Sequence, residues 1–303
     1  MLLKSKVPVT YIFGKIKFEI LFVAFYACII SILSSNYHIQ KFSLPIAVPM
    51  IVGTVISLLL GFRSNQAYDR WWEARIIWGA IVNDSRTLAR QLLSFFKDPD
   101  YSVEINLFQE RWIKRQMAWC YCLGQSLRDK DPDAGLHKYL SKQDMVFINH
   151  HDHKPNAILQ LHARDLKYAL ERGWINSYQQ VEIDNTLTKL CDAMGKCERI
   201  KKTVFPTTYG MYIHFSIYFF VLQLPFSLMD FFGIYQIPVT IALAATFFLI
   251  EKMAVHLQDP FENKPTDTPV TSISKTIERN LWQMLSEREI PTYKTESKDF
   301  YIL

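Results

Sequence analysis

The sequence predicts an all-α membrane protein: four transmembrane helices per subunit and a large helical cytoplasmic region. Three observations carry this. Four apolar runs, 17–34, 42–62, 208–227 and 233–250, come close to the ~20 residues that cross a bilayer core. Lysines and arginines gather at one set of their ends. The stretch between the second and third runs spaces its apolar residues helically and holds no strand-rich block.

Composition agrees. Half of the 303 residues are hydrophobic and 14% are aromatic, a load suited to interfacial Trp and Tyr. Mean hydropathy is near zero, so part of the chain lies in water. The formal charge of +5 is modest, and no basic run is interleaved with aromatics. No nucleic-acid partner is expected. Cys28, Cys120, Cys122, Cys191 and Cys197 form an odd, irregularly spaced set without a CxxC pair. They read as free thiols in a reducing compartment or a core.

Residues 1–62 hold the N-terminal segment and the first two spans. Lys15 and Lys17 precede the first run, Glu19 lies near its start, and no small-residue cleavage site follows it. The second run, FSLPIAVPMIVGTVISLLLGF, carries no charge and breaks into RSNQAYDRWWEAR. The helix is expected to cross the bilayer and continue into water. Pro45 and Pro49 sit in its opening turns. Thr54, Leu58 and Phe62 recur every four residues and share a face. Gly53, Ser57 and Gly61 mark a neighbouring face where helices can approach closely. This pattern suits a symmetric bundle around a pore, and equally an ordinary packed helix.

Residues 63–205 read as a helical cytoplasmic insert. Apolar residues keep helical spacing through Trp71, Ile76, Leu88 and Phe95, through Ile105, Trp112 and Leu123, and through Val181, Leu187 and Met194. Between them, 128–155 is polar. Residues 206–250 hold the third and fourth spans, with Pro206 and Pro238 at their starts and a short link at 228–232. The tail, 251–303, opens on the loop LQDPFENKPTDTP and then carries Ile273, Ile277, Leu281 and Leu285 on one helical face.

Positive charge sets the orientation. Lys4, Lys6, Lys15 and Lys17 precede the first span, and Arg63, Arg70 and Arg75 follow the second. Arg199, Lys201 and Lys202 precede the third, and Lys252 follows the fourth, whereas the short links hold only Lys41. Both termini and the insert are therefore expected on the cytoplasmic side of an inner membrane, in contact with its lipid.

Few residues suggest chemistry. His150, His151, Asp152 and His153 are dense but adjacent in a loop, which seldom converges on a metal. No metal site and no cofactor is expected. Glu19 and His214 are ionisable groups in or near spans, where such groups face a bundle interior, an aqueous cavity or the interface. No GxSxG, Walker loop or GxGxxG occurs, so an enzyme is not expected. Asp69, Arg70 and Glu73 fall where the second helix leaves the membrane. They read either as vestibule charges that set local ion concentration or as a surface network beside Trp71 and Trp72.

Four strings converge in order: GFRSNQAYDRWWEAR at 61–75, WGAIVNDSR at 78–86, GKCERIKKTVFPTTYG at 195–210, and DPFENKPTDTP followed by SISKTIERNL within 259–281. The chain resembles the bestrophin family in its bacterial branch, over nearly its whole length. The resemblance implies a homopentameric channel for monovalent ions. It implies a neck lined by Thr54, Leu58 and Phe62 and, by an ungapped count back from Gly195, a cytoplasmic aperture at Tyr178. Animal members place several aromatic rings in the neck, where only Phe62 is aromatic here. Ring edges are partially positive and favour anions. Chloride passage is the expectation the resemblance carries, and the missing rings make a monovalent-cation (sodium) pore of the same fold the alternative. A membrane-anchored sensory or scaffold protein is a third. Animal members also bind calcium after the last span. Asp259, Glu262 and Asp267 are too scattered here for the same clasp to be expected.

Overall fold

A computed structural model describes residues 8–37, 44–97, 102–203 and 205–285. Among them there is no strand, and ten α-helices carry the chain. Lys4, Lys6, Lys41 and Phe42 lie outside the described residues.

One compact unit holds residues 8–71 and 205–259. It contains α1 (Val9–Phe13), α2 (Lys17–Tyr37), the first half of α3 (Ala47–Phe95), α8 (Thr207–Phe232) and α9 (Gln236–Gln258). Three helical stretches, Lys17–Ser34, Ala47–Phe95 and Thr207–Gln258, are long and apolar enough to span a bilayer. The third is broken between α8 and α9. The expected link at 228–232 is helical, because LMDFF holds no glycine or proline that would end α8. The chain turns instead at Gly233–Tyr235, a 3-10 turn whose glycine adopts φ of +51°, which a side chain would resist. Likewise α9 runs on past Ile250 to Gln258, so the tail's loop begins later than 251.

The core of this unit is apolar: Val23, Ile56, Leu60, Ile217, Phe220 and Phe248 are nearly or fully buried. Several polar side chains within it reach backbone carbonyls or one another, which offsets their withdrawal from water. Tyr26 donates to the Leu222 carbonyl at 2.8 Å, and Gln236 to the Ala27 carbonyl at 3.2 Å. Lys252 on α9 pairs with Glu19 on α2 at 2.9 Å.

The second unit holds Trp72–Thr203 and residues 260–285. It comprises the remainder of α3, α4 (Val103–Leu127), α5 (Lys142–Asn149), α6 (Lys154–Glu171), α7 (Ser177–Lys202) and α10 (Val270–Met284). Its core is built on Trp78, Trp112 and Trp119 with Leu88, Leu123 and Ile158. The polar 128–155 stretch is partly helical because it holds its own caps. Ser141 accepts from the Asp144 N–H to start α5, and His153 accepts from the Asn156 N–H to start α6. His153 Nδ1 accepts there, so Nε2 carries the proton it donates to Glu198 at 2.7 Å. His150 and His151 donate to the carbonyls of Val146 and Phe147.

Arg115 on α4 is 2% exposed and ties three helices together. It donates to both oxygens of Asp144 on α5 at 3.2 Å and to Asp165 on α6 at 2.6 Å. On α10, Glu278 accepts from Tyr121 at 2.6 Å and Tyr139 at 2.7 Å, anchoring the helix that Ile273, Ile277 and Leu281 bury.

Candidate functional site

The α3 helix has two apolar faces in its first turns, and only one is packed within the chain. Ile56 and Leu60 are 1–2% exposed. Gly53 lies so close to the Phe220 ring that a Cβ there would stand 3.0 Å from it. Gly53 therefore sits on a close-approach face, whereas Gly61 meets nothing within 4 Å and Ser57 is exposed, its hydroxyl donating to the Gly53 carbonyl. The three small residues do not form one continuous seam.

The other face carries Thr54, Leu58 and Phe62, all exposed, with Leu58 at 61% and Phe62 at 56%. Leu58 does not pack between helices of its own subunit. Helical periodicity explains the outcome: positions 53, 56, 60 and 63 turn inward, so 54, 58 and 62 turn out. Thr54 donates its hydroxyl to the Met50 carbonyl at 2.8 Å, which leaves its oxygen lone pairs for other partners.

Further along α3, Asp69 is exposed. Arg70 donates to the Gln258 carbonyl at 2.9 Å and lies 3.8 Å from Asp259. Glu73 accepts from Arg199 on α7 at 2.5 Å. Arg70 and Glu73 are thus held by α7 and by the end of α9, which sequence spacing did not foresee. Tyr178 is the second residue of α7, whose first turn is closed by a capping box between Asn176 and Gln179. Its ring is 87% exposed.

A buried ionic group near the start of α8 was missed by sequence reasoning. Glu251 on α9 is 4% exposed, 3.8 Å from Arg63 on α3 and 3.0 Å from the His214 ring on α8. His214 is therefore a cross-helix partner. Glu251 carried no local signal: it falls one residue past an apolar run and reads as the usual polar flank. Of the carboxylates in the 259–267 loop, Asp259 faces Arg70, Glu262 pairs with Lys264, and Asp267 accepts from the Lys264 N–H. Burial raises the Asp267 carboxyl above its ordinary pKa.

Known proteins share this architecture. Voltage-dependent anion channel-forming protein YneE of Escherichia coli K12 is 30% identical over 242 residues, covering 80% of this chain and 77% of its own. The protein of the same name from Salmonella typhi is 29% identical over 253 residues, 83% of this chain and 81% of its own. A crystal structure of a bacterial bestrophin homolog from Klebsiella pneumoniae matches with a TM-score of 0.84 at 28% identity. The match covers 90% of this chain and 100% of that one. The family model described as Bacterial/Fungal Bestrophin protein matches residues 6–283. With that match spanning nearly all of the helices described, the chain belongs to the bacterial and fungal bestrophin family.

Proposed function

We propose that the protein is a membrane anion channel assembled from several copies of this chain, five by family resemblance. The neck is lined by Thr54, Leu58 and Phe62. The observation that carries this reading is the apolar Leu58–Phe62 face, which the subunit itself leaves uncovered while the opposite face of α3 is packed. Curated relatives named voltage-dependent anion channel-forming proteins support the ion class. Each subunit crosses an inner membrane four times, through α2, the first half of α3, α8 and α9. Both termini lie in the cytoplasm.

In such an assembly Leu58 and Phe62 form a hydrophobic constriction, where ions lose hydration and small widenings admit water. Tyr178 forms the cytoplasmic aperture. Asp69, Arg70 and Glu73 border the vestibule. Arg70 and Glu73 are held by oppositely charged partners, so Asp69 contributes most to the local field.

A monovalent-cation pore of the same fold is the second reading. It is favoured by Thr54, whose hydroxyl hydrogen is committed to Met50 and which offers an ion only lone pairs. Purified protein in planar bilayers separates the two. In asymmetric KCl the reversal potential falls near the chloride equilibrium potential if anions pass. Leu58→Ala raises unitary conductance. Leu58→Asp shifts relative permeability toward cations by about tenfold, on the order of 1.4 kcal/mol. Currents unchanged by both substitutions would remove Leu58 from the conduction path, and no current at all would leave the scaffold reading.

A further inference from the structure

A cavity lies at the start of α8, formed by α3, α8 and α9. Its volume is about 350 Å³, within the range that holds small ligands. Arg63 lines it and is 6% exposed. The Nε and Nη1 of Arg63 are buried and meet no hydrogen-bond acceptor. The guanidinium has a carboxylate from Glu251 at 3.8 Å, too far for a hydrogen bond, and the Phe205 ring at 5.6 Å. A guanidinium withdrawn from water without acceptors is costly, and one ion pair at that distance does not offset it.

The opposite wall is the first turn of α8, with Pro206, Thr207 and Gly210. Pro206 is the N-cap and supplies no capping side chain, so this 26-residue helix begins without a side-chain acceptor from its cap. Helix N-termini attract anions through free N–H groups and the helix dipole. Gly210 gives the guanidinium room: a Cβ there would stand 3.1 Å from Nη2. His214 sits one turn further along α8, its ring turned to Glu251 at 3.0 Å. Glu251 therefore has two cationic or donor neighbours and holds the Arg63 charge in place. The remaining lining is Gln258 and the apolar Phe205, Met211 and Phe215, of which Met211 and Phe215 are 55% and 62% exposed.

We propose that this cavity binds the phosphate of an anionic phospholipid from the cytoplasmic leaflet. Arg63 and the first turn of α8 hold the phosphate oxygens, and the acyl chains run along Met211 and Phe215. Arginine forks match phosphate oxygens in pairs. The depth assignment follows from the cationic flank at Arg199, Lys201 and Lys202 just before α8. Glu251 opposes a second negative charge, so the site takes one phosphate diester rather than a multiply charged headgroup.

The test uses the delipidated full-length protein in nanodiscs of phosphatidylcholine with or without phosphatidylglycerol. Its readouts are lipid retention by native mass spectrometry and the unfolding midpoint. No ion current is needed, so its failure and the failure of the channel reading are distinguishable. Phosphatidylglycerol is retained in preference to phosphatidylcholine and raises the midpoint. Thr207→Glu places a carboxylate in the first turn of α8, where it suits the helix dipole. This variant melts at or above the parent, yet its phosphatidylglycerol retention falls by about tenfold or more. Arg63→Gln loses the preference as well. Inorganic phosphate at the same concentration gives no comparable shift. Equal retention of the two lipids, undiminished retention by folded Thr207→Glu, or full reproduction of the shift by inorganic phosphate would each overturn the proposal.

Discussion

His162 on α6 is a base that the folded chain keeps neutral. It is fully buried, it stacks on Trp112 at 5.8 Å between centroids, and neither ring nitrogen meets a hydrogen-bond partner. Burial, reinforced by the nearby Arg115 charge, holds its pKa well below the ordinary 6.5. The folded pKa is thus lower than the unfolded one, and the unfolded chain binds a proton that the native chain refuses. The stability it contributes is full above about pH 6.5 and declines as pH falls, by up to about 1.4 kcal/mol per pH unit. His162→Phe keeps the ring stack and removes the proton. Its unfolding midpoint should fall less than the parent's between pH 7 and pH 5, and parallel curves would refute this account. The cysteines are quieter. Burial pushes the Cys120, Cys122 and Cys197 thiols up to about 12, so they persist as thiols at neutral pH. At this scale the Thr54, Leu58 and Phe62 stripe was legible, because a four-residue spacing on one helix is local information. The Arg63–Glu251–His214 group was not, since its members sit on three helices and each alone reads as a flank or a lone polar residue.

At the scale of elements, α10 shows how closely the second unit is fitted. Gly124 on α4 faces Val270 so tightly that a Cβ would stand 2.5 Å from Val270 Cγ1. Gly124→Ala should cost about 1–3 kcal/mol by overpacking. Adding Val270→Ala should return much of that loss, a coupling readable from thermal melts of the double-mutant cycle. Without such recovery, the helix pair does not meet at this point. The amphipathic stripe of α10 was readable from Ile273, Ile277 and Leu281, as was the run of α3 past the bilayer. The short α5 and the start of α6 were not singled out. Their composition is polar, and only the caps at Ser141 and His153 mark them. The length of α8 was also underread, because Leu228 to Phe232 could be either link or helix and only Gly233 ends it.

At the scale of the whole molecule, the all-α membrane class was legible because charge-free runs and charged flanks state their preferred solvent directly. The number of copies was not, since periodicity within one chain does not count subunits. The exposed Leu58 and Phe62 face predicts association through or around α3. In mild detergent the particle should have about five times the 35.5 kDa chain mass, measured by native mass spectrometry. A monomer that retains its fold would refute the neck. One feature of α3 constrains the chain in a further way. Its 49 residues run unbroken from the bilayer segment to the tryptophan core around Trp78. Each residue of a helix turns the next by about 100° and advances it 1.5 Å. A single-residue insertion between Trp78 and Leu88, both buried in that core, would swing Leu88 out of it by more than a quarter turn. Length changes near whole numbers of turns, such as about seven residues for two turns, come close to restoring the angular register. Substitutions along this rod are local events, whereas insertions and deletions re-aim every helical residue that follows them.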